Sequence, residues 1–263
     1  MAKMGVLLPP SMSAFPATGR AQTRHHYRRW LALCALACSG LLAVLLTIHI
    51  ADGLDSRPRW AWWARIALAR PEAALIRWGA RDGQSVEDGE VWRLVSYGFL
   101  HWDWGHLALN GLALWGLGRF LEAIFGPVRF LWLFVVSVVG GGLLSQTAAR
   151  DVVSAGASGG IFGLLGALVM FGVLRRATLP DELRALFGWK LWPWILLNLG
   201  VGVLLPFIDN RAHVGGLVAG SLAVLPLGDH ITHNRAPGAA TSVVMLIVLT
   251  IVLTWSAAMV WLR

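Results

Sequence analysis

Residues 156–174 read Gly156-Ala-Ser158-Gly159-Gly160-Ile-Phe162-Gly163-Leu-Leu-Gly166-Ala-Leu-Val-Met-Phe-Gly-Val-Leu174. From Gly159 to Leu174 there is no charge and no proline. Such a run reads as a helix in apolar surroundings, either a protein core or a lipid bilayer. One hydroxyl, that of Ser158, stands at its entrance among glycines. The rest of the chain decides between core and bilayer. Of 263 residues, 57% are hydrophobic and only 14% charged, against about 25% charged in an ordinary soluble domain. Mean hydropathy is +0.64. A soluble core of this length does not hide so much apolar surface. Disordered chains, coiled coils and disulfide-stapled modules are excluded by the same numbers. The chain reads as an all-α polytopic membrane protein.

Working outward, the apolar runs predict seven spans. They are Leu31–Ile50, Gly105–Phe125, Phe130–Thr147, Gly159–Leu174, Leu191–Ile208, Ala212–Leu227 and Thr241–Leu262. Arg24, Arg28 and Arg29 before the first span resemble the start of a signal peptide. The run is long for one and no small-residue cleavage site follows, so a retained anchor is expected. The two cysteines, Cys34 and Cys38, lie in this first run one helical turn apart. They form no disulfide framework and no Cys-rich metal site, and read as small apolar filler.

Basic residues set the direction. Lys3, Arg20, Arg24, Arg28, Arg29, Arg119, Arg129, Arg175, Arg176, Arg184, Lys190 and Arg235 fall on alternate loops, all on one side. The short loops opposite carry only Arg150 and Arg211. The positive-inside rule puts the N-terminus in the cytoplasm and Arg263 outside. This rule also accounts for the net charge of +8. No basic stripe on a soluble domain suggests nucleic acid. The long first loop holds Trp60, Trp62, Trp63, Trp78 and Trp92 among Arg65, Arg70, Arg77 and Arg81. Indoles and snorkelling arginines favour the membrane–water boundary, so short amphipathic helices on the outer leaflet are expected, broken at Pro71 and Gly79.

Polar residues inside membrane helices are functional suspects. His106 and Asn110 open the second span four residues apart, hence on one face. Ser158 precedes the fourth span and His213 opens the sixth. These three spans run in the same direction, so all four side chains fall at one depth below the outer surface. Each alone has an ordinary explanation as an interfacial or packing residue. Their common depth points to a site.

The chemistry suits a nucleophile. Ser158 would sit at a helix N-terminus, where free N–H groups and the dipole favour developing negative charge. Those donors, with His106 and Asn110, suit an oxyanion hole. His213 suits the role of general base and then general acid. No carboxylate is placed as a third member; Asp209 precedes His213 by four residues and is expected in the outer loop. Gly159, Gly163 and Gly166, with the Gly216-x-x-x-Gly220 pair, would let the two helices approach to hydrogen-bonding distance. The fourth span, about 24 Å long at 1.5 Å per residue, is shorter than the roughly 30 Å hydrocarbon core. Its start would lie below the surface, beneath a loop from Ala148 to Ala157 that admits water.

These residues resemble the rhomboid family of intramembrane serine proteases. Gly156-Ala-Ser158-Gly159 matches its G-x-S-G motif, and Ala212-His213-x-Gly215 its histidine segment. His101-x-x-x-x-His106-x-x-x-Asn110 matches its second-span motif, and Glu90-Val-Trp92-Arg93 its first-loop E-x-W-R. The resemblance implies a rhomboid-like six-helix core over residues 30–227, including the interfacial first loop, residues 51–104. Residues 1–29 form a cytoplasmic tail, 228–240 a cytoplasmic loop, and 241–263 an extra C-terminal transmembrane helix. It implies Ser158 as nucleophile and His213 as base. His106, Asn110 and the Ser158 backbone N–H would form the oxyanion hole, supported by Gly156, Gly159, Phe162, Gly216 and Gly220. It implies transmembrane substrates with small residues at the cut, and no metal or cofactor. One departure stands out. Many bacterial relatives carry a tyrosine four residues after the serine, stacked on the histidine; this chain has Phe162.

His101 fits the pattern, with a structural role as reasonable as a catalytic one. Glu90 and Arg93 are expected to shape the loop. His25, His26, His49, His230 and His233 read as interfacial or loop residues. A catalytically silent rhomboid-like binding or quality-control factor is the alternative function. A metalloprotease using His101, His106 and His213 lacks H-E-x-x-H, and a transporter would be expected to show an inverted repeat. The basic, Trp-rich, short-loop composition suggests a bacterial plasma membrane. Oligomeric state is not legible.

Overall fold

The computed structural model describes residues 36–55, 69–147, 152–179, 184, 187–205, 208–229 and 239–262. The spans appear as helices α1 (Leu36–Asp55), α5 (Trp104–Phe125), α6 (Pro127–Ser145), α7 (Ser158–Leu174), α8 (Trp192–Leu204), α9 (Asn210–Ala223) and α10 (Ala239–Trp261). Between α1 and α5 lie the short helices α2 (Glu72–Arg77), α3 (Gly83–Glu87) and α4 (Arg93–Ser96), and the strand β1 (Arg81–Asp82). A second two-residue strand, β2 (Val153–Ser154), precedes α7 and pairs antiparallel with β1. The architecture is the expected all-α polytopic membrane fold.

Among the described residues, four helices are long and apolar enough to cross a bilayer: α1, α5, α6 and α10. Helices α7, α8 and α9 are shorter, at 17, 13 and 14 residues. The fifth and sixth spans are thus shorter than their apolar runs suggest. The sixth stops at Ala223 and continues as a turn, so hydrophobicity there outlasts the helix. The first span runs on to Asp55, past its apolar stretch, and Asp52 in its last turn is paired with Arg70 at 2.9 Å.

Helices α6, α7 and α9 form the centre, each packed on the other two. Glycine sets their spacing. A Cβ on Gly216 would collide with the Gly159 carbonyl, and one on Gly220 with the Gly163 carbonyl. Leu114, Leu121, Phe130, Phe134, Val138, Leu164 and Leu168 belong to the main hydrophobic core. The turn from α5 to α6 follows from its residues. Gly126 takes φ +83, and Pro127 opens the next helix where its missing N–H is harmless. Leu109, Leu112, Val203 and Leu204 are exposed, as a lipid-facing surface requires.

Glu122 is a buried charge inside α5 that the sequence reading passed over. Its carboxylate accepts from the N–H groups of Ala37 and Cys38 at 3.0 and 2.8 Å. It therefore satisfies donors at the described start of α1, which lipid cannot do. Cys38 is buried filler as expected, its thiol directed at the Leu114 carbonyl; Cys34 lies outside the described residues.

The first loop corrects the expectation of an interfacial coat. Arg70, Arg81 and Trp92 are not at a boundary but are 3%, 0% and 1% exposed. Guanidinium groups carry five donors in a fixed fork and so tie folded backbone together. Arg70 bonds Asp52 and the His49 carbonyl. Arg81 bonds Gln146 and the Val152 carbonyl. Arg93 bonds Glu90 and the carbonyls of Ile76 and Ala80, the loop-shaping role expected of that pair. Pro71 and Gly79 bracket α2 as anticipated, Gly79 at φ +98. Trp60, Trp62, Trp63 and Arg65 lie outside the described residues.

Helix α10 packs on α6 and α4. Its Ser256 hydroxyl reaches the Trp92 carbonyl at 3.3 Å. The late part of the seventh helix is therefore level with the first loop, on the same side of the molecule.

Candidate active site

Two of the helices that carry the predicted side chains begin at an aspartate. The Asp103 carboxylate accepts from His106 N–H and starts α5; the Asp209 carboxylate accepts from Ala212 N–H and starts α9. Aspartate is a preferred N-cap because it satisfies a donor the first turn leaves open. Helix α7 differs. It begins at Ser158 with no side-chain cap, so its first N–H groups remain for another acceptor.

Ser158 and His213 meet. His213 Nε2 lies 2.9 Å from Ser158 Oγ. The imidazole is buried. The Phe162 ring lies flat on it, with centroids 4.2 Å apart and planes 8° from parallel. Nδ1 of His213 has no hydrogen-bonding partner among the described residues. The ring is thus held by stacking and by the serine, with no carboxylate behind it.

His106 and Asn110 come to the same place. Gly156 adopts φ +149, and a Cβ there would meet His106 Nε2 at 2.9 Å and Asn110 Nδ2 at 3.8 Å. Only glycine both takes this backbone shape and leaves room for the imidazole. The Gly156 N–H is tied to the Tyr97 carbonyl at 3.0 Å. Asn110 is buried, and its Nδ2 donates to no group among the described residues. The side chains from α5, the Gly156 turn and the open N-terminus of α7 therefore line one small volume beside Ser158.

His101 is fully buried, its ring 5.1 Å from that of His106. Burial, and after it the neighbouring His106 and His49, push its imidazole well below the usual range. His49 corrects an expectation. It is neither interfacial nor in a loop, but 1% exposed, edge-on to Trp104 at 4.7 Å. The other histidines of that group, His25, His26, His230 and His233, lie outside the described residues.

Asp209 is more than a loop residue. Besides capping α9, its carboxylate accepts from the hydroxyls of Ser145 at the end of α6 and Ser154 in β2. The D-N-x-A-H spacing carries an N-cap signal that finds the aspartate. No sequence signal pairs it with two serines 64 and 55 residues away.

A family model described as the Rhomboid domain matches residues 88–230. The chain belongs to the rhomboid family. It is 38% identical over 154 residues to the protein named Rhomboid protease GluP of Bacillus subtilis, covering 59% of this chain and 29% of that one. It is 41% identical over 148 residues to RHOMBOID-like protein 5 of Arabidopsis thaliana, covering 56% of this chain and 47% of that one. RHOMBOID-like protein 4 of the same plant is 36% identical over 178 residues, or 65% and 44% of the two chains. The chain thus spans less than half the length of these curated relatives. As a rhomboid, it is a multi-pass membrane protein of a family with intramembrane protease-type function.

Proposed function

We propose that this rhomboid is an intramembrane serine endopeptidase working through a Ser158–His213 dyad. The observation that carries the reading is the 2.9 Å contact between Ser158 Oγ and His213 Nε2, which is within reach of direct proton transfer. With its proton on Nδ1, His213 accepts the Ser158 proton at Nε2 as Oγ attacks a substrate carbonyl. The oxyanion forms beside the first N–H groups of α7 and the Asn110 and His106 side chains, donors preorganised for that charge. The imidazolium then gives its proton to the leaving amine. Water attacks the acyl-enzyme, returning its proton through His213, and Ser158 is regenerated. The substrates are transmembrane proteins cut near the membrane surface, with small residues at the cut. The chemistry uses no metal or cofactor. The enzyme resides in a bacterial plasma membrane with its N-terminus cytoplasmic, on the strength of composition and loop charge.

The family also has inactive members, so a silent client-binding protein is the competing reading. It gives no reason for a serine and a histidine from different helices to meet. A fluorophosphonate probe and a transmembrane substrate decide between them. Purified wild-type protein is expected to label and to cleave. Ser158→Ala is expected to do neither, and Ser158→Ala/His213→Ala to be little worse than either single change, because the pair acts as a unit. A cleaving Ser158→Ala protein refutes the dyad. A wild type that neither labels nor cleaves favours the silent reading. Asn110→Ala is expected to lose on the order of 10²–10³ in kcat with little change in KM. A raised KM alone would make Asn110 a substrate contact.

A further inference from the structure

The dyad has no third member on the imidazole, yet a carboxylate sits one helical turn ahead of it. Asp209 is four residues before His213, at the N-cap of the same helix. One of its oxygens accepts from Ala212 N–H at 3.0 Å. The other accepts from both Ser145 Oγ and Ser154 Oγ, and these two hydroxyls are themselves 3.3 Å apart. Ser145 and Ser154 are 0% and 4% exposed. One carboxylate therefore joins the end of α6, the strand that leads to the nucleophile and the helix that carries the base. Ser154 is four residues before Ser158, as Asp209 is before His213. Both arms of the dyad leave from this one anchor.

The surroundings keep it in place. β2 is paired to β1 through Arg81↔Ser154. The Arg81 guanidinium is buried beside it, bonded to Gln146 and to the Val152 carbonyl. Burial lowers the pKa of that guanidinium, and Asp209 is foremost among the charges that oppose the shift. Burial chiefly, and then the Asp209 charge, push the Tyr97 phenol up, so it stays neutral. Its hydroxyl donates to the Val138 carbonyl. The carboxylate, the two serine hydroxyls and the tyrosine hydroxyl each bond another part of the scaffold.

We propose that Asp209 is the positioning residue of the dyad, holding the Ser158 and His213 segments in register and supplying a fixed negative charge to the imidazolium that forms during acyl transfer. The proposal rests on the dyad reading above. It assigns two separable effects to one side chain. The hydrogen bonds to Ser145 and Ser154 set distance. The charge, half-buried at the helix N-cap, favours imidazolium over imidazole through space, without a hydrogen bond to the ring.

Asp209→Asn separates them, because asparagine is an equally good N-cap and nearly isosteric. Its oxygen keeps the cap to Ala212 N–H, its amide NH2 donates to the two serine hydroxyls, which can accept as well as donate, and the charge is removed. Cleavage of a transmembrane substrate is expected to show kcat reduced on the order of tenfold, below the 10²–10³ of a direct donor. KM and thermal stability are expected to stay near wild type. Ser145→Ala/Ser154→Ala keeps the charge and removes the tie, and is expected to lower both kcat and thermal stability. Asp209→Asn with wild-type kcat overturns the charge role, and a double serine variant with wild-type kcat overturns the tie. A kcat loss in Asp209→Asn matched by an equal loss of stability reduces Asp209 to a fold residue and overturns the proposal. Should Ser158→Ala still cleave, the dyad reading fails instead, and that result is read without any Asp209 variant.

Discussion

Phe162 shows what one side chain contributes here. Its ring is stacked on His213 at 4.2 Å, where many bacterial relatives, by resemblance, place a tyrosine. Aromatic pairs contribute about 0.5–1.5 kcal/mol beyond burial. With no partner on Nδ1 among the described residues, stacking is the main restraint on imidazole orientation. Phe162→Tyr is expected to keep most activity. Phe162→Leu, which preserves most of the volume but no flat ring, is expected to fold yet lose kcat, and Phe162→Ala to lose more. Cleavage rates measured beside thermal stability check this. A Leu variant equal to wild type in both would make Phe162 packing only. The stacking was an implication of the family resemblance; the i, i+4 spacing by itself says only that Phe162 shares the Ser158 face of the helix. The burial of Arg70, Arg81 and Trp92 was not legible in advance. Their composition suits an interface equally well, and only the carbonyls the loop presents to them decide the matter.

Among the elements, the contact of α7 with α9 controls the chemistry. Gly216 and Gly220 present bare backbone to the carbonyls of Gly159 and Gly163. An added methyl there meets main chain, which cannot rotate away. Gly216→Ala is expected to push the helices apart, lengthen the 2.9 Å Ser–His contact and reduce cleavage at least tenfold. Overpacking of this kind destabilises by about 1–3 kcal/mol. Gly40→Ala in α1, where a Cβ meets nothing within 4 Å, is expected to match wild type in cleavage and melting. A Gly216→Ala protein of full activity would show that the helices tolerate separation. The glycines of both helices announced the close approach of α7 and α9, but not which carbonyl each glycine meets. The two-residue pairing of β1 with β2 was invisible beforehand, since two residues carry no periodicity.

For the molecule as a whole, the helix lengths and the Ser256–Trp92 contact place the late part of α10 level with the first loop. On the seven-span reading, the two chain ends are expected on opposite sides. Reporter fusions at Met1 and Arg263 are expected to read cytoplasmic and external, respectively. A cytoplasmic signal at both ends would remove one span from the topology, and a reversed pair would invert it. The linear pattern was enough for the membrane class and the order of the apolar helices, and it singled out the four side chains that the fold brings near one another. Hydropathy and loop charge act locally and are read directly from the chain, and the motifs bring their residues to common depth through helix direction alone. What the folded chain decided was every contact between distant segments. Glu122 accepts from backbone N–H groups of α1 as far as 85 residues away, His49 turns inward against Trp104, and Asp209 gathers two serines from other elements. A buried polar group needs a partner of suitable geometry, and which partner it finds depends on how helices cross in three dimensions, a quantity that residue order does not state.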